Sequence, residues 1–315
     1  MAEPTGCPYP VGLDFVRHLF DQEQNMIPGN KDNRDGWLFS IPFLLVFVLF
    51  MLFPLVYGLV ISFFRWNILS DKVFIGFQNY VNLFADEKFY TSLWHTVEFV
   101  LITTPVLLVL GFLMALVTTS KSPLRKVAEN VFFIPYIFSM TVVSTLWAWL
   151  FQKQYGLINK VAGLFGIRPI GWLTDPNWAM WSVCIATFWW TAGFNMILMS
   201  AGIKQISSEI YESAKIDGAN YPQCVFRITI PLLKPTIVLC LILQIIASFN
   251  VFGQVYVMTG GGPFGKTRTI IQYIYETGFS YFKMGYSAAM SYILFLIIMI
   301  VSVIQYILLG RKSDE

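Results

Sequence analysis

The sequence predicts an all-α membrane protein with six transmembrane helices, and three observations carry that prediction. Only 12% of its 315 residues are charged while 56% are hydrophobic, about half the charged fraction of a soluble globular domain. Six stretches longer than 20 residues contain no Asp, Glu, Lys or Arg, and a bilayer span needs roughly 20 consecutive apolar residues. These stretches are continuous in Leu, Ile, Val, Phe and Trp rather than alternating with period two, which excludes a transmembrane β-barrel. Composition excludes other classes as well. A formal charge of +3 makes no basic stripe for nucleic acid. Cys7, Cys184, Cys224 and Cys240 lie far apart with no CxxC pair, and His18 and His95 have no ligand neighbour. No disulfide framework, metal site or His-activated nucleophile is expected, so no catalytic residue and no metal ligand is assigned.

In chain order, residues 1–36 are a polar leader. Leu13, Val16, Leu19 and Phe20 recur there at helical spacing, which fits both a short amphipathic helix and a partly ordered tail. Pro28-Gly29-Asn30 interrupts it. The first apolar run begins only at Trp37, after a stretch too long and too charged for a signal-peptide n-region, so no cleavable signal is expected. The membrane domain covers 37–310, with spans at about 37–64, 99–120, 130–152, 176–203, 235–258 and 284–310. Pro42 and Pro54 in the first span, Pro105 in the second and Pro135 in the third are expected to kink their helices. Outer loops Arg65–Glu98, Lys153–Asp175 and Lys266–Lys283 are too short for a folded domain, and Trp66, Trp94, Trp172 and Trp178 sit near the predicted interfaces. Six spans put both termini on one side, leaving 311–315 as a short tail. That side carries twelve of the 21 Lys and Arg against nine opposite, which favours cytoplasmic termini.

The segment 204–234, KQISSEIYESAKIDGANYPQCVFRITIPLLK, has seven charged residues and lies outside the bilayer, yet it carries helix signals. Ser207 or Ser208 is a suitable N-cap, and Glu209 and Glu212 complement the helix dipole. Ile210, Ala214 and Asp217 continue a short helix that Gly218 stops in the left-handed conformation. Asn220 caps a second helix with Pro222 in its first turn, and Pro231 and Pro235 are expected to end it. A helix–Gly–helix between two spans either folds under its own bundle or docks a soluble partner.

Here the residues carry a resemblance. Glu212-Ser213-Ala214, three residues to Gly218, then nine to Ile228-Thr229-Ile230-Pro231 resembles the EAA loop of bacterial ABC importer permeases, E-A-A-x3-G-x9-I-x-L-P, with Ser213 and Ile230 as mild departures. Asp217-Gly218-Ala219 and the Gln223…Phe226 spacing are similar to the carbohydrate branch, the maltose and glycerol-3-phosphate permease type. So are Thr259-Gly260-Gly261-Gly262-Pro263 with Thr267, Tyr275-Glu276 and Phe279, and Gly76-Phe77-Gln78-Asn79-Tyr80 with Leu83-Phe84, Asp86 and Phe89. The resemblance spans about 37–310 and implies a type I ABC importer permease bundle. It implies a second homologous permease, two cytoplasmic ATP-binding subunits, an extracytoplasmic sugar-binding protein, and a place in the bacterial inner membrane. It makes Glu212, Ser213, Ala214, Asp217, Gly218 and Ala219 the ATPase-coupling residues. ATP and Mg would be bound by the partner ATPase and no cofactor by this chain.

One motif points elsewhere. Gly260-x4-Gly265-Lys266-Thr267 matches the phosphate-binding expression GxxxxGK[ST], but it follows a membrane helix rather than a strand, and a tight turn is the expected structure. Polar residues within spans mark a candidate solute path. Gln244, Ser248, Asn250 and Gln254 lie in the fifth span, with Gln244, Ser248 and Val251 on one face; Trp190, Thr191, Phe194 and Asn195 share a face of the fourth. Aromatic rings and amides suit a sugar, while interhelical hydrogen bonding is the competing role. The resemblance adds that sugar contacts come from the helices flanking the coupling loop. No span has an ionised group at its middle, which disfavours an ion-coupled carrier. The expected function is a non-enzymatic permease subunit importing a sugar or oligosaccharide. The alternatives are a non-sugar or acidic solute in the same family and an autonomous secondary carrier.

Overall fold

A computed structural model describes residues 30–120 and 122–310; the expectations for residues 1–29 and for the 311–315 tail lie outside these. The chain divides into two units, 1–58 and 59–315. In the first, helix α1 (Asn30–Phe47) passes through a π-helical turn (Val48–Leu52) into α2 (Phe53–Ile61). Trp37–Ile61 is a 25-residue apolar helix with no residue buried. Pro42 and Pro54 lie within it.

The second unit is a helical bundle. A two-stranded antiparallel hairpin, β1 (Phe64–Arg65) and β2 (Val73–Phe74), precedes the short helix α3 (Gln78–Phe84). Asp86 then caps α4 (Glu87–Thr119), a 33-residue helix that continues through Pro105. At 1.5 Å per residue it is about 50 Å long, well beyond the ~30 Å hydrocarbon core. It begins twelve residues before the charge-free window opens at Phe99, so Glu98 lies within a helix. Its most extensive partner is α8 (Ala179–Lys204). The remaining long helices are α11 (Ile230–Phe249) and α14 (Met284–Gln305). Between these lie α7 (Leu157–Leu164), α12 (Gly253–Met258) and α13 (Ile270–Tyr275). Among the described residues, five helices are long and apolar enough to cross a membrane, and six if one bent pair counts as a span.

That bent pair shows that the third span, placed at 130–152 with a kink at Pro135, is instead broken three residues further on. Helix α5 (Arg125–Ile137) stops, Phe138 and Ser139 are both extended, and α6 (Met140–Leu150) leaves at 96°. Ser139 restarts the helix as an N-cap, its Oγ accepting from the Val142 amide, and the Phe138 carbonyl accepts the Trp190 indole N–H at 3.1 Å. The Val142 amide and the Phe138 carbonyl, which would bond each other in an unbroken helix, are thus both satisfied within the protein, as the bilayer requires.

A second correction concerns Pro231 and Pro235. They do not end the second helix of the 204–234 segment. Helix α10 (Tyr221–Cys224) runs through a π-helical turn (Val225–Thr229) directly into α11, making Tyr221–Phe249 one 29-residue span. The wide turn opens the hydrogen-bond ladder just where the Pro231 ring would press on the carbonyl four residues earlier.

The buried side chains form three apolar clusters. One joins Phe99 to Val183, Cys184 and Val255. A second joins Leu83 and Phe89 to Ile270, Met290 and Leu294. A third joins Ala115 to Met196, Met199, Leu233 and Cys240. Asp86 ties the second cluster from outside: the Tyr273 and Tyr286 hydroxyls each donate to its Oδ2 at 2.7 Å, and the Lys88 amide donates to Oδ1 at 2.9 Å. Partial burial alone would raise its pKa, but the bonds from Tyr273, Tyr286 and the Lys88 and Phe89 amides outweigh it and hold the carboxyl below its ordinary 3.8. A lowered carboxyl pKa contributes stability that is complete at neutral pH and is lost as pH falls through the lowered value. Asp86→Asn keeps the helix cap but loses the charge behind both tyrosine bonds. We expect it to cost about 1–3 kcal/mol, read as a lower thermal midpoint of the detergent-solubilised protein at pH 7. The difference from wild type should close on acidification below pH 4.

Candidate functional site

A cavity of about 480 Å³ lies between α5, α8 and the end of α11. The sequence and the packing explain each wall. Gly193 on α8 is where α5 comes closest: a Cβ there would collide with the Phe132 carbonyl oxygen and lie 3.0 Å from the Phe133 Cα. That approach brings Tyr136 flat against Phe194, centroids 5.2 Å apart at 26°, and 6.4 Å from Trp190. The three rings form one aromatic wall. The opposite wall is the last turn of α11 and the break that follows, with Gln244, Ala247, Ser248, Asn250, Val251, Phe252, Gly253 and Gln254. The helix ends at Phe249, so Val251 reaches the cavity from an irregular turn rather than by helical spacing.

Behind the cavity runs a directed chain of hydrogen bonds across three helices. The Asn195 amide donates to Gln244 Oε1 at 3.0 Å, and Gln244 Nε2 donates to Ser248 Oγ at 3.1 Å. Ser248 and Thr103 share a hydrogen bond of 3.2 Å, and Thr103 donates to the Phe99 carbonyl at 2.7 Å. Since the Thr103 hydrogen is committed to Phe99, Ser248 is the donor to Thr103. Both hydroxyl donors along the chain are therefore used, and the four side chains are buried. Each such bond in a bilayer is worth about 0.6–1.7 kcal/mol.

Seven of the eight sequence-selected path residues line this cavity: Trp190, Thr191, Phe194, Gln244, Ser248, Asn250 and Val251. Asn195 does not; it is 1% exposed and orients Gln244 from behind. Sequence reasoning passed over Tyr136, Met140, Thr187 and Phe252. The signal for Tyr136 was available in the Phe132, Phe133 and Tyr136 run around Pro135, while the Phe252 position depends on the break after α11. Tyr136 is the one ionisable side chain among the lining residues. Flat rings pack on the C–H faces of a pyranose and amides pair with its hydroxyls, so the lining suits an uncharged polar solute. Asn250 uses its amide nitrogen on the Ile246 carbonyl at 2.8 Å, leaving Oδ1 as an acceptor.

The second candidate element is the helix pair at the start of the fifth span. Ser207 caps α9 (Ser208–Ile216), accepting from the Glu209 amide. Gly218, at φ +82, closes it with the Ala219 amide on the Ala214 carbonyl at 2.8 Å and the Gly218 amide on Lys215 at 3.0 Å. This is a Schellman stop. Asn220 and Gln223 then form a reciprocal capping box on α10, and the Tyr211 and Thr229 hydroxyls meet at 3.0 Å, tying the two helices together. Glu212, Ser213, Asp217 and Gly218 are exposed, and Ala214 and Ala219 are half-buried. Ile216 is 87% and Tyr221 67% exposed beside the turn, an apolar surface at the tip of the pair.

The 260–267 stretch is a closed turn between α12 and α13, not a strand–loop–helix. Thr267, the residue that would meet a metal in a phosphate loop, is fully buried, donates to the Gly262 carbonyl at 2.7 Å and lies 2.8 Å from the Thr259 hydroxyl.

Gly193→Val should force α5 from α8. An overpacked contact costs about 1–3 kcal/mol, so we expect a lower thermal midpoint. We also expect a loss of Tyr136 fluorescence transfer to Trp190 relative to wild type, measured with the other wall intact.

Comparison with known proteins agrees with this geometry. Residues 107–314 match the family described as binding-protein-dependent transport system inner membrane component. The sulfoquinovosyl glycerol transport system permease protein of Agrobacterium fabrum is 33% identical over 88% of this chain and 90% of its own. The arabinooligosaccharides transport system permease protein of Bacillus subtilis is 34% identical over 89% and 90%. The trehalose/maltose transport system permease protein of Thermococcus litoralis is 31% identical over 89% and 95%. In fold, the chain resembles a bacterial alginate ABC transporter crystallised with an alginate pentasaccharide-bound periplasmic protein, with a TM-score of 0.81 and 24% identity over 90% of this chain and 97% of that one. The chain, with its broken third span and its helix–Gly–helix before the fifth, belongs to the family of binding-protein-dependent transport system inner membrane components.

Proposed function

We propose that this chain is the permease subunit of an ATP-driven importer and that a saccharide crosses the membrane along the cavity between α5, α8 and α11. The observation that carries this reading is the cavity wall itself: three rings facing a row of amides, with no acid or base among them. That chemistry favours a neutral saccharide over an acidic one, because an ionised solute entering such a site leaves its charge unpaired. The relatives named for arabinooligosaccharides and trehalose/maltose support a neutral saccharide; the one named for sulfoquinovosyl glycerol, a sulfonated sugar, supports the saccharide reading alone.

The energy enters elsewhere. The exposed pair α9 and α10 is a rigid lever: a Schellman stop, a capping box and the Tyr211–Thr229 contact fix its angle, and α10 is continuous with the span that walls the cavity. Displacement of the pair therefore reaches Gln244 and Ser248 through one helix. In this reading Glu212, Ser213, Ala214, Asp217, Gly218 and Ala219 meet a cytoplasmic ATP-binding subunit, and Ile216 and Tyr221 supply the apolar part of that contact. ATP and Mg are bound by that partner and not by this chain, which does no covalent chemistry. A second six-span permease completes the path, a binding protein delivers the solute at the far side, and both termini are cytoplasmic.

Gentle solubilisation from native membranes followed by mass spectrometry tests the assembly. We expect an ATP-binding subunit and a second permease to accompany the chain; recovery of the chain alone, also after crosslinking at cysteines introduced in 209–218, would overturn the proposal. Glu212→Lys reverses a charge at the contact, and Gly218→Pro demands φ near −65° where the chain holds +82°. Each variant should lower saccharide-stimulated ATP hydrolysis of the reconstituted complex by tenfold or more, on the order of a lost interfacial contact of 1.4 kcal/mol. Wild-type rates in both would remove the lever role.

A further inference from the structure

Four aromatic rings continue outward from the cavity, and neither the cavity nor the lever accounts for them. Phe252 lines the cavity at the break after α11. Its ring lies 5.3 Å from Tyr256 and 5.1 Å from Tyr275. Tyr256 and Tyr275 are 5.7 Å apart, and Tyr275 stacks on Phe279 at 5.3 Å and 29°. Exposure is greatest at the far end: Phe252 and Tyr275 are half-buried, Tyr256 is 47% exposed and Phe279 61%. The rings come from three separate elements. Phe252 precedes α12, Tyr256 sits on it, and Tyr275 and Phe279 lie four residues apart where α13 passes into a π-helical turn (Glu276–Ser280).

We propose that Phe252, Tyr256, Tyr275 and Phe279 form an aromatic track that leads a saccharide chain into the cavity from the end of the bundle opposite the α9–α10 pair. The proposal rests on the saccharide reading of the cavity. Sugars are held weakly and repeatedly by C–H faces on flat rings, so a row of adjoining rings lets a chain advance one unit at a time without a deep binding minimum. The ring spacing is close to the length of one pyranose unit. The Tyr256 and Tyr275 hydroxyls and the exposed Asn250 beside Phe252 supply hydrogen-bond partners along the way. Single rings anchored in the headgroup region would also be exposed, but such anchors need no mutual stacking and no continuity with a cavity.

The test uses the whole importer, with its second permease, ATP-binding subunits and binding protein, in proteoliposomes. The probes are labelled maltotetraose and arabinotetraose loaded on the binding protein. Tyr275→Leu and Phe279→Leu keep apolar bulk but remove the ring; Tyr275→Phe and Phe279→Trp keep a ring. The track requires each leucine variant to lower the import rate by about threefold to tenfold and each ring-keeping variant to retain at least half of the wild-type rate. A structural role would not distinguish leucine from another ring so sharply. If wild type imports either probe and the leucine variants match it, the track is overturned while the saccharide reading stands. If the leucine variants lose the second permease during purification, the rings are interface packing and the track is overturned on that ground. If wild type imports neither probe, nor any other neutral tetrasaccharide that stimulates its ATP hydrolysis, the saccharide reading fails and the track fails with it.

Discussion

The hydrogen-bond chain from Asn195 through Gln244, Ser248 and Thr103 to the Phe99 carbonyl fixes the rotation of α11 between α8 and α4. In a bilayer the lipid tails are as apolar as leucine, so apolar burial alone does little to choose one helix rotation over another. A buried amide without partners, in contrast, carries a desolvation penalty of about 1–3 kcal/mol or more. Rotating α11 by one residue would orphan Gln244, Ser248 and Asn195 together. Because the same turn of α11 carries Ala247 and leads into Asn250 and Val251, the constraint that sets the packing also sets the cavity wall. The tight α5–α8 approach at Gly193 does the equivalent work for the aromatic wall.

The helices are interrupted where the bundle has something to line. The break at Phe138–Ser139 and the break after Phe249 both border the cavity, and in each a carbonyl outside the helix is satisfied by a side chain: Trp190 to the Phe138 carbonyl, Thr269 to the Val251 carbonyl at 2.9 Å. Irregular backbone at membrane depth survives only where protein or a polar cavity surrounds it. The π-helical turn at Val225–Thr229 has a different consequence. It lets the α10–α11 helix pass Pro231 without stopping, so a force on the exposed pair is transmitted along one continuous element.

Charge-free windows made the number of crossings legible, because an ionised group at the bilayer centre is too costly to place without reason. The exposed helix pair was legible in its ends: Ser207 (with Ser208 as the other candidate), Gly218 and Asn220 each have side-chain or backbone chemistry suited to one place at a helix end. The breaks were not. Phe138-Ser139 has no glycine and no proline at the bend, and its extended conformation depends on a cap formed with Val142 and a carbonyl taken by Trp190 from another helix. Pro231 and Pro235 misled in the opposite direction, since a local rule for helix termination met a π-helical turn that relieves it. For the cavity, polar residues within spans identified the α8 and α11 walls. Tyr136 had a signal in the aromatic run around Pro135 that was not used, whereas Phe252 is one aromatic residue among many in its span and only its packing sets it apart. Asn195 has the same chemistry as a solute contact but serves as a support, a distinction that composition does not carry.

The central claim is that one face of α11 and the break beyond it line a water-accessible path closed from behind by the hydrogen-bond chain. Cysteine replacement along 239–252, in a chain whose native cysteines are substituted and with the partner subunits present, tests it most directly with a membrane-impermeant thiol reagent. The account predicts labelling at Ala247, Asn250, Val251 and Phe252, suppressed by a saccharide-loaded binding protein, and no labelling at Leu239, which is half-exposed and does not line this cavity. Labelling at Leu239 equal to that at Ala247, or labelling at Ala247 that no saccharide alters, would contradict it.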